Sequence, residues 1–205
     1  MKIAVQQPYF IPYAGYFELH KKIDTFVIFD DVQFNRRGFV HRNKIKINKD
    51  HVWITLPLMK KKRDTKINEL EFDLNSQQFH KYCNLIKILK QKKQLKFLIN
   101  DFENFDIKPI DYIHNINCKI LSKLGIENKF LFASEISNKK LSGEKKIIDI
   151  CKKLNATEYF NLAGGKNLYD TKNFLKEGIK INFLPNFNGE KISIIHNLID
   201  EKLSI

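Results

Sequence analysis

At 205 residues, with 43% apolar and 29% charged side chains, the chain can bury one substantial core and has an ordinary soluble, globular composition. It contains no run near the roughly 20 apolar residues of a membrane span, which excludes helical membrane insertion, and no signal-peptide pattern. The net charge of +13, from 36 Lys and Arg against 23 Asp and Glu, suits an anionic partner, though a lysine-rich solvated surface explains it equally well.

No nucleic-acid motif accompanies the charge, so nucleic acid is not an expected partner. Cys83, Cys118 and Cys151 are scattered through apolar helical patterns, which predicts reduced, buried thiols and a cytoplasmic protein.

In chain order, Ile3 to Val5 predict a buried strand that stops at Gln6, Gln7 and Pro8. Ala14 to Lys22 predict two helical turns with Gly15 near their start, and Phe26 to Phe29 a second strand ending at Asp30 and Asp31. Asn43 to Ile47 and Val52 to Leu58 alternate with period two, with Asn48, Lys49 and Asp50 as a hairpin turn. Ile67, Leu70 and Phe72 suggest a third strand, and Lys60 to Arg63 a basic loop that is either a solvated edge or cover for a phosphate.

Apolar stripes over Phe79 to Leu89 and Ile110 to Leu124 predict two helices, the second framed by Pro109 and Gly125. Phe130 to Phe132 read as a core strand, and Ser142 as the N-cap of a helix carrying Ile147, Ile148, Cys151 and Leu154. A strand through Tyr159 and Phe160 leads into Gly164, Gly165 and Lys166. A partly helical stretch then stops at Gly178, a strand runs through Ile179 to Phe183, and Ile192 to Leu203 suggest a closing helix. The expected fold is α/β: a mainly parallel, Rossmann-like sheet flanked by helices, in one domain over 1–205, with an antiparallel insertion at about 42–73.

Open α/β sheets place their sites at the carboxyl ends of strands, which directs attention to Gln7, Tyr13, Asp30 and Asp31. A desolvated Asp30 or Asp31 would accept a proton, but either also suits a turn cap or a partner for Arg36 or Arg37. His41 is a rival base, and a lone exposed histidine is its plain alternative. Gln7 and Asn43 suit a sugar hydroxyl or amide, or simply a turn; Gly15 lets a ligand approach the first helix. Arg37, Arg42 and Lys46 suit a pyrophosphate or a carrier's phosphate. Gly164, Gly165 and Lys166 offer backbone N–H groups to a phosphate, or make an ordinary tight turn. Neither a metal-ligand spacing nor a nucleophile elbow is present, so direct transfer is the simpler enzymatic reading.

Several motifs in order carry a resemblance. They are Gln7–Pro8, Pro12, Gly15–Tyr16–Phe17, the Asp24 to Asp31 strand, Val32–Gln33–Phe34 and Arg42–Asn43–Lys44–Ile45–Lys46, followed by Trp53, Thr55 and Pro57. With the late Gly-rich segment and the KISIIHNL stretch, they resemble the signature of the WbqC-like family, although His196 stands where that pattern usually has Asp.

The resemblance implies a role in bacterial surface-polysaccharide (O-antigen) biosynthesis, by acyl or aminoacyl transfer to the amine of a nucleotide-linked sugar. It adds Gln33 to the substrate-binding set and implies no tightly bound cofactor. The co-substrate would be an acyl thioester, from coenzyme A or an acidic acyl carrier protein, or ATP.

The start KIAVQQPYFIPYAGYFELH is also similar to that of HIGH-motif nucleotidyltransferases, with Tyr13–Ala14–Gly15–Tyr16 in place of the motif and only the glycine matching. An ATP-dependent ligase of that kind, or a non-catalytic protein that binds a sugar nucleotide, is the alternative.

Overall fold

Short apolar runs and longer apolar stripes become seven strands and eight α-helices in a computed structural model that describes residues 1–48 and 50–201. In chain order they are β1 (Lys2–Gln6), α1 (Ala14–His20), β2 (Thr25–Ile28), β3 (Arg42–Ile47), β4 (Asp50–Thr55), α2 (Gln77–Lys90), α3 (Ile99–Phe102) and α4 (Pro109–Lys123). There follow β5 (Lys129–Phe132), α5 (Ala133–Ile136), α6 (Gly143–Lys153), β6 (Glu158–Asn161), α7 (Thr171–Lys176), β7 (Lys180–Phe183) and α8 (Ile195–Ile199). The chain divides into two compact units. One comprises Met1–Gln7, Gly15–Asp31 and Ile126–Gly189; the other comprises Pro8–Ala14, Val32–Gly125 and Glu190–Ile205. The antiparallel segment expected at 42–73 is thus part of a larger assembly that also gathers α2 to α4 and α8.

The first unit is built on a five-stranded sheet, parallel throughout, in the order β5-β2-β1-β6-β7. Ile3, Ala4 and Val5 are all buried because β1 lies at its centre, where both faces of a parallel sheet are covered. Val5 pairs with Val27 and Ala4 with Phe160. The order reverses between β1 and β6, which makes their carboxyl ends the switch point of the sheet. One core packs Ile3, Val5 and Val27 against Ile147, Ile150, Tyr159 and Phe174. Another group stacks His20 on Phe26 at 4.3 Å, beside Tyr16 and Phe130. β5 is an edge strand, so Phe130 to Phe132 are only half-buried rather than sealed in a core. Ser142 occupies the N-cap position of α6, but its side chain makes no capping bond.

In the second unit, β3 and β4 pair antiparallel from Arg42–Thr55 to Ile47–Asp50. Asn48 supplies the left-handed turn conformation, at φ 57°; Lys49 lies outside the described residues. The third strand expected over Ile67 to Phe72 is instead a 3-10 turn at Ile67–Glu69, with single bridges at Gln33–Lys66 and Leu58–Phe72. The reason is local. Ile67 and Leu70, three apart, are both buried, and the Glu69 carboxylate takes the Lys66 N–H at 2.9 Å, closing a turn. Ser76 caps α2 through Phe79 N–H, and Pro109 opens α4, which ends at Gly125 with φ 69°. The Tyr82 and Tyr112 hydroxyls are hydrogen-bonded to each other in an aromatic core with Phe10, Phe72 and Phe105. The closing helix is short, and Leu203 lies outside the described residues.

All three cysteines are unpaired, but only Cys151 is fully buried, while Cys83 and Cys118 are half-buried. Burial pushes the Cys151 thiol up to about 12 and that of Cys118 up to about 11, which disfavours the reactive thiolate. Among the described residues, no helix is long and apolar enough to cross a membrane.

Candidate functional site

The polar groups at the carboxyl edge of the parallel sheet are largely engaged with one another. As the chain leaves β2, Phe29 N–H donates to the Gln6 carbonyl at 2.8 Å, and Asp30 Oδ1 accepts the Ser134 N–H at 2.9 Å, fixing the start of α5. Asp31 does not pair with Arg36 or Arg37. Its Oδ2 accepts Lys146 Nζ at 2.5 Å and Ser137 Oγ at 3.0 Å, with both charged side chains 4% exposed. Asp31 Oδ1 is buried without a hydrogen-bond partner, so one oxygen of this carboxylate is left unsatisfied.

At the switch point the side chains that meet are Gln6 and Asn161 rather than Gln7. Gln6 Nε2 donates to Asn161 Oδ1, which also takes the Leu162 N–H at 2.7 Å. Gln7 accepts the Tyr16 hydroxyl on its backbone carbonyl at 3.0 Å. Gly165 is buried against Asn161: a Cβ there would stand 2.8 Å from Asn161 Cγ, and its N–H is already donated to the Leu162 carbonyl at 2.9 Å. Gly164 and Lys166 are exposed, and Gly15 is buried in the first turn of α1. Polar residues ending two buried strands were the available signal for Gln6 and Asn161.

The second unit carries an open, basic cleft. Gln33 and Phe34 run beside residues 63–66, with Phe34 N–H on the Thr65 carbonyl at 2.8 Å and Gln33 Nε2 on the Arg63 carbonyl at 2.7 Å. A β-turn follows. Gly38 N–H donates to the Asn35 carbonyl at 2.9 Å, and the Asn35 side chain accepts Arg37 N–H at 2.9 Å. Asn at the first and Gly at the fourth position suit such a turn, which projects its two central side chains, Arg36 and Arg37. Arg42 braces it: Nη2 donates to the Arg37 carbonyl at 2.9 Å and Nε to that of Gly38 at 3.3 Å. Arg36 in turn donates to the Lys61 carbonyl.

The result is a cleft of about 880 Å³ lined by Gln33, Phe34, Asn35, Arg36, Arg37 and Arg63, three guanidinium groups with no carboxylate in the lining among the described residues. His41 packs edge-on against Phe34 at 5.0 Å. Burial, then the Arg42 and Arg36 charges, push its pKa down to about 4, and its Nδ1 is buried without a partner. The imidazole is therefore neutral at pH 7, chiefly through its burial, with the two guanidinium charges acting in the same direction.

The remaining candidates are placed elsewhere in this unit. Asn43 is buried, and its amide donates to the carbonyls of Ile11 at 2.9 Å and Phe10 at 3.3 Å, holding Ile11 at its left-handed φ of 39°. Lys46 lines a separate hollow of about 310 Å³ with Lys92 and His196, and Tyr13 is half-buried. Of the anticipated residues, Gln33 and Arg37 thus meet in the cleft, while Arg42 serves as its brace. Arg36 and Arg63 complete the cleft and were not among the anticipated site residues; the signal for Arg63 was the basic run from Lys60. Among the described residues, no group of three His, Cys, Asp or Glu side chains is arranged to hold a metal ion.

A family model for WbqC-like proteins matches residues 7–189, a span that takes in both the sheet edge and the arginine cleft. The chain belongs to the WbqC-like protein family. It is also 41% identical over 73 residues to an uncharacterized protein of Mycobacterium tuberculosis, Rv1507c. That match covers 35% of this WbqC-like chain and 32% of the mycobacterial protein, so about a third of the relative's length is spanned. No solved structure matches the chain.

Proposed function

We propose that this WbqC-like protein is a transferase that holds a nucleotide-linked amino sugar by its diphosphate and transfers an acyl or aminoacyl group to the sugar amine. The setting implied by the family resemblance is bacterial surface-polysaccharide synthesis. The observation that carries the reading is the arginine cleft. Three like charges converge on one open space with no carboxylate in its lining, an arrangement that a multiply charged anion relieves. Planar guanidinium groups match phosphate oxygens in bidentate geometry, and Gln33 and Asn35 add amide groups suited to hydroxyls.

In the transfer, the amine nitrogen attacks the carbonyl carbon of an acyl thioester. The C–N bond forms, the C–S bond breaks, and the proton given up by the amine passes through a base to the departing thiolate, which leaves as the free thiol. With ATP as co-substrate, the carboxylate is activated first and phosphate or nucleotide leaves instead. His41, kept neutral and packed against the cleft's Phe34, is the base this reading proposes to take the amine proton, once a movement of Phe34 opens it to the cleft.

The engaged state of Asp30 and Asp31 favours a second reading, a protein that binds the sugar nucleotide without turning it over. Calorimetric titration with uridine- and thymidine-diphosphate amino sugars, followed by mass analysis after adding acyl thioesters or ATP, tests both. Arg37→Ala and Arg63→Ala should each weaken binding about tenfold and reduce its salt dependence. Affinity unmoved by both substitutions overturns the cleft assignment. Tight binding with no modified sugar selects the second reading.

A further inference from the structure

We propose that the exposed rings of Phe39 and Trp53 form a stacking surface for the nucleobase of a nucleotide ligand whose phosphates occupy the adjoining arginine cleft. The inference rests on the reading of that cleft as a diphosphate site and extends it to the other end of the ligand.

The described residues leave eight large apolar side chains exposed, and the two aromatic ones among them, Phe39 at 43% and Trp53 at 39%, are neighbours. Their ring centroids are 6.2 Å apart and their planes differ by 32°, so the two exposed rings adjoin at a shallow angle. Tyr9 backs Phe39 at 6.0 Å. The surface is also held in place: the Phe39 carbonyl accepts the Phe10 N–H at 3.0 Å, and Trp53 lies in β4 opposite Lys44.

Two features tie this surface to the cleft. Phe39 stands one residue beyond the turn that projects Arg36 and Arg37. Arg42 spans the distance: the guanidinium that donates to the Arg37 carbonyl lies 4.5 Å from the Trp53 ring centroid. Lys44 Nζ lies 5.4 Å from the same ring. The turn and β4 together therefore carry charges for phosphates, a guanidinium over an indole, and the exposed parts of Phe39 and Trp53. A nucleoside diphosphate carries the complementary sequence of anion, ribose and flat ring. Stacking tolerates any base, because every base has a π-face, and neighbouring cations strengthen it.

Trp53 is the chain's one tryptophan, so its emission reports on this surface alone. Uridine diphosphate should quench that emission and bind about tenfold more tightly than inorganic pyrophosphate, which should bind without quenching. Phe39→Ala should remove most of the tenfold advantage and leave pyrophosphate affinity, measured by calorimetry, unchanged. Equal affinities for the two probes, or a Phe39→Ala protein that binds uridine diphosphate normally, overturn the stacking surface while leaving the cleft intact. Pyrophosphate binding that Arg37→Ala does not weaken marks failure of the diphosphate reading instead. A single-stranded uridine oligomer that binds far more tightly than uridine diphosphate, with a steep salt dependence, overturns the nucleotide assignment in favour of a nucleic-acid surface.

Discussion

At the end of β2, Asp31 is 6% exposed and meets Lys146 and Ser137 on a single oxygen, whereas Arg36 and Arg37, a few residues later, are exposed at the tip of a turn. The two regions use charge in opposite ways. In the sheet unit buried polar groups find partners inside the protein: Asp30 with Ser134, Asn161 with Gln6, His20 with Asn128. In the hairpin unit, charges of one sign are gathered with their backbone partners satisfied and their outer faces open. Buried ion pairs add little net stability but are costly to break, so the first pattern belongs to a scaffold. Unbalanced charge in an open cleft belongs to ligand recognition.

The contrast breaks most visibly at Lys146. Lys146→Met leaves Asp31 buried without its cation and should destabilise the fold by about 3–5 kcal/mol in urea denaturation. Arg37→Ala, by contrast, should stay within about 0.5 kcal/mol of the parent. Equal effects of the two substitutions would erase the distinction between scaffold and cleft.

A smaller effect separates the two glycines after β6. Gly165→Ala forces a methyl group against Asn161 and should cost roughly 1–3 kcal/mol. Gly164→Ala meets no atom within 4 Å and should be close to neutral. A reversed order would mean that Gly164, not Gly165, is the constrained position.

The smallest signal is acid sensitivity. His20 and His41 have pKa values near 4 against an ordinary 6.5, in both cases chiefly because they are buried. Between those values the unfolded chain binds more protons than the folded one, so the histidine contribution is complete above pH 6.5 and is lost as the pH falls towards 4. His41→Gln should flatten part of the fall in the urea midpoint between pH 7 and pH 5. An unchanged slope would show that His41 titrates as a solvated group.

Much of the sheet was legible because buried parallel strands read as continuous apolar runs, as at Ile3 to Val5 and Phe26 to Phe29. The partner of Asp31 was not, since Lys146 lies 115 positions away and no local pattern links them. The missed 3-10 turn shows two periods competing: Ile67 and Phe72 invited a strand, while the spacing of three between Ile67 and Leu70 decided the outcome. Of the six residues lining the cleft, Gln33 and Arg37 were anticipated. The Asn35-to-Gly38 turn follows from local chemistry, but the arrival of Arg63 depends on the Gln33 and Phe34 bonds to residues 63–66. Asn43 was read for its hydrogen-bonding capacity, and that capacity is spent on holding the backbone of Ile11.

The pairing of Lys2 with Glu158, partners far apart in the sequence, sets an order of assembly during synthesis. β1 is made before β6, so the edge on which they pair stays open until β6 emerges, well over a hundred residues later. Because each compact unit is stitched from three separate stretches of chain, no single cut releases either one whole. Nascent protein must keep β1 unpaired on that side until β6 arrives, and an unpaired strand edge is a template for the wrong neighbour. Production of this protein should therefore respond more to slower elongation and chaperone supply than to trimming it into halves.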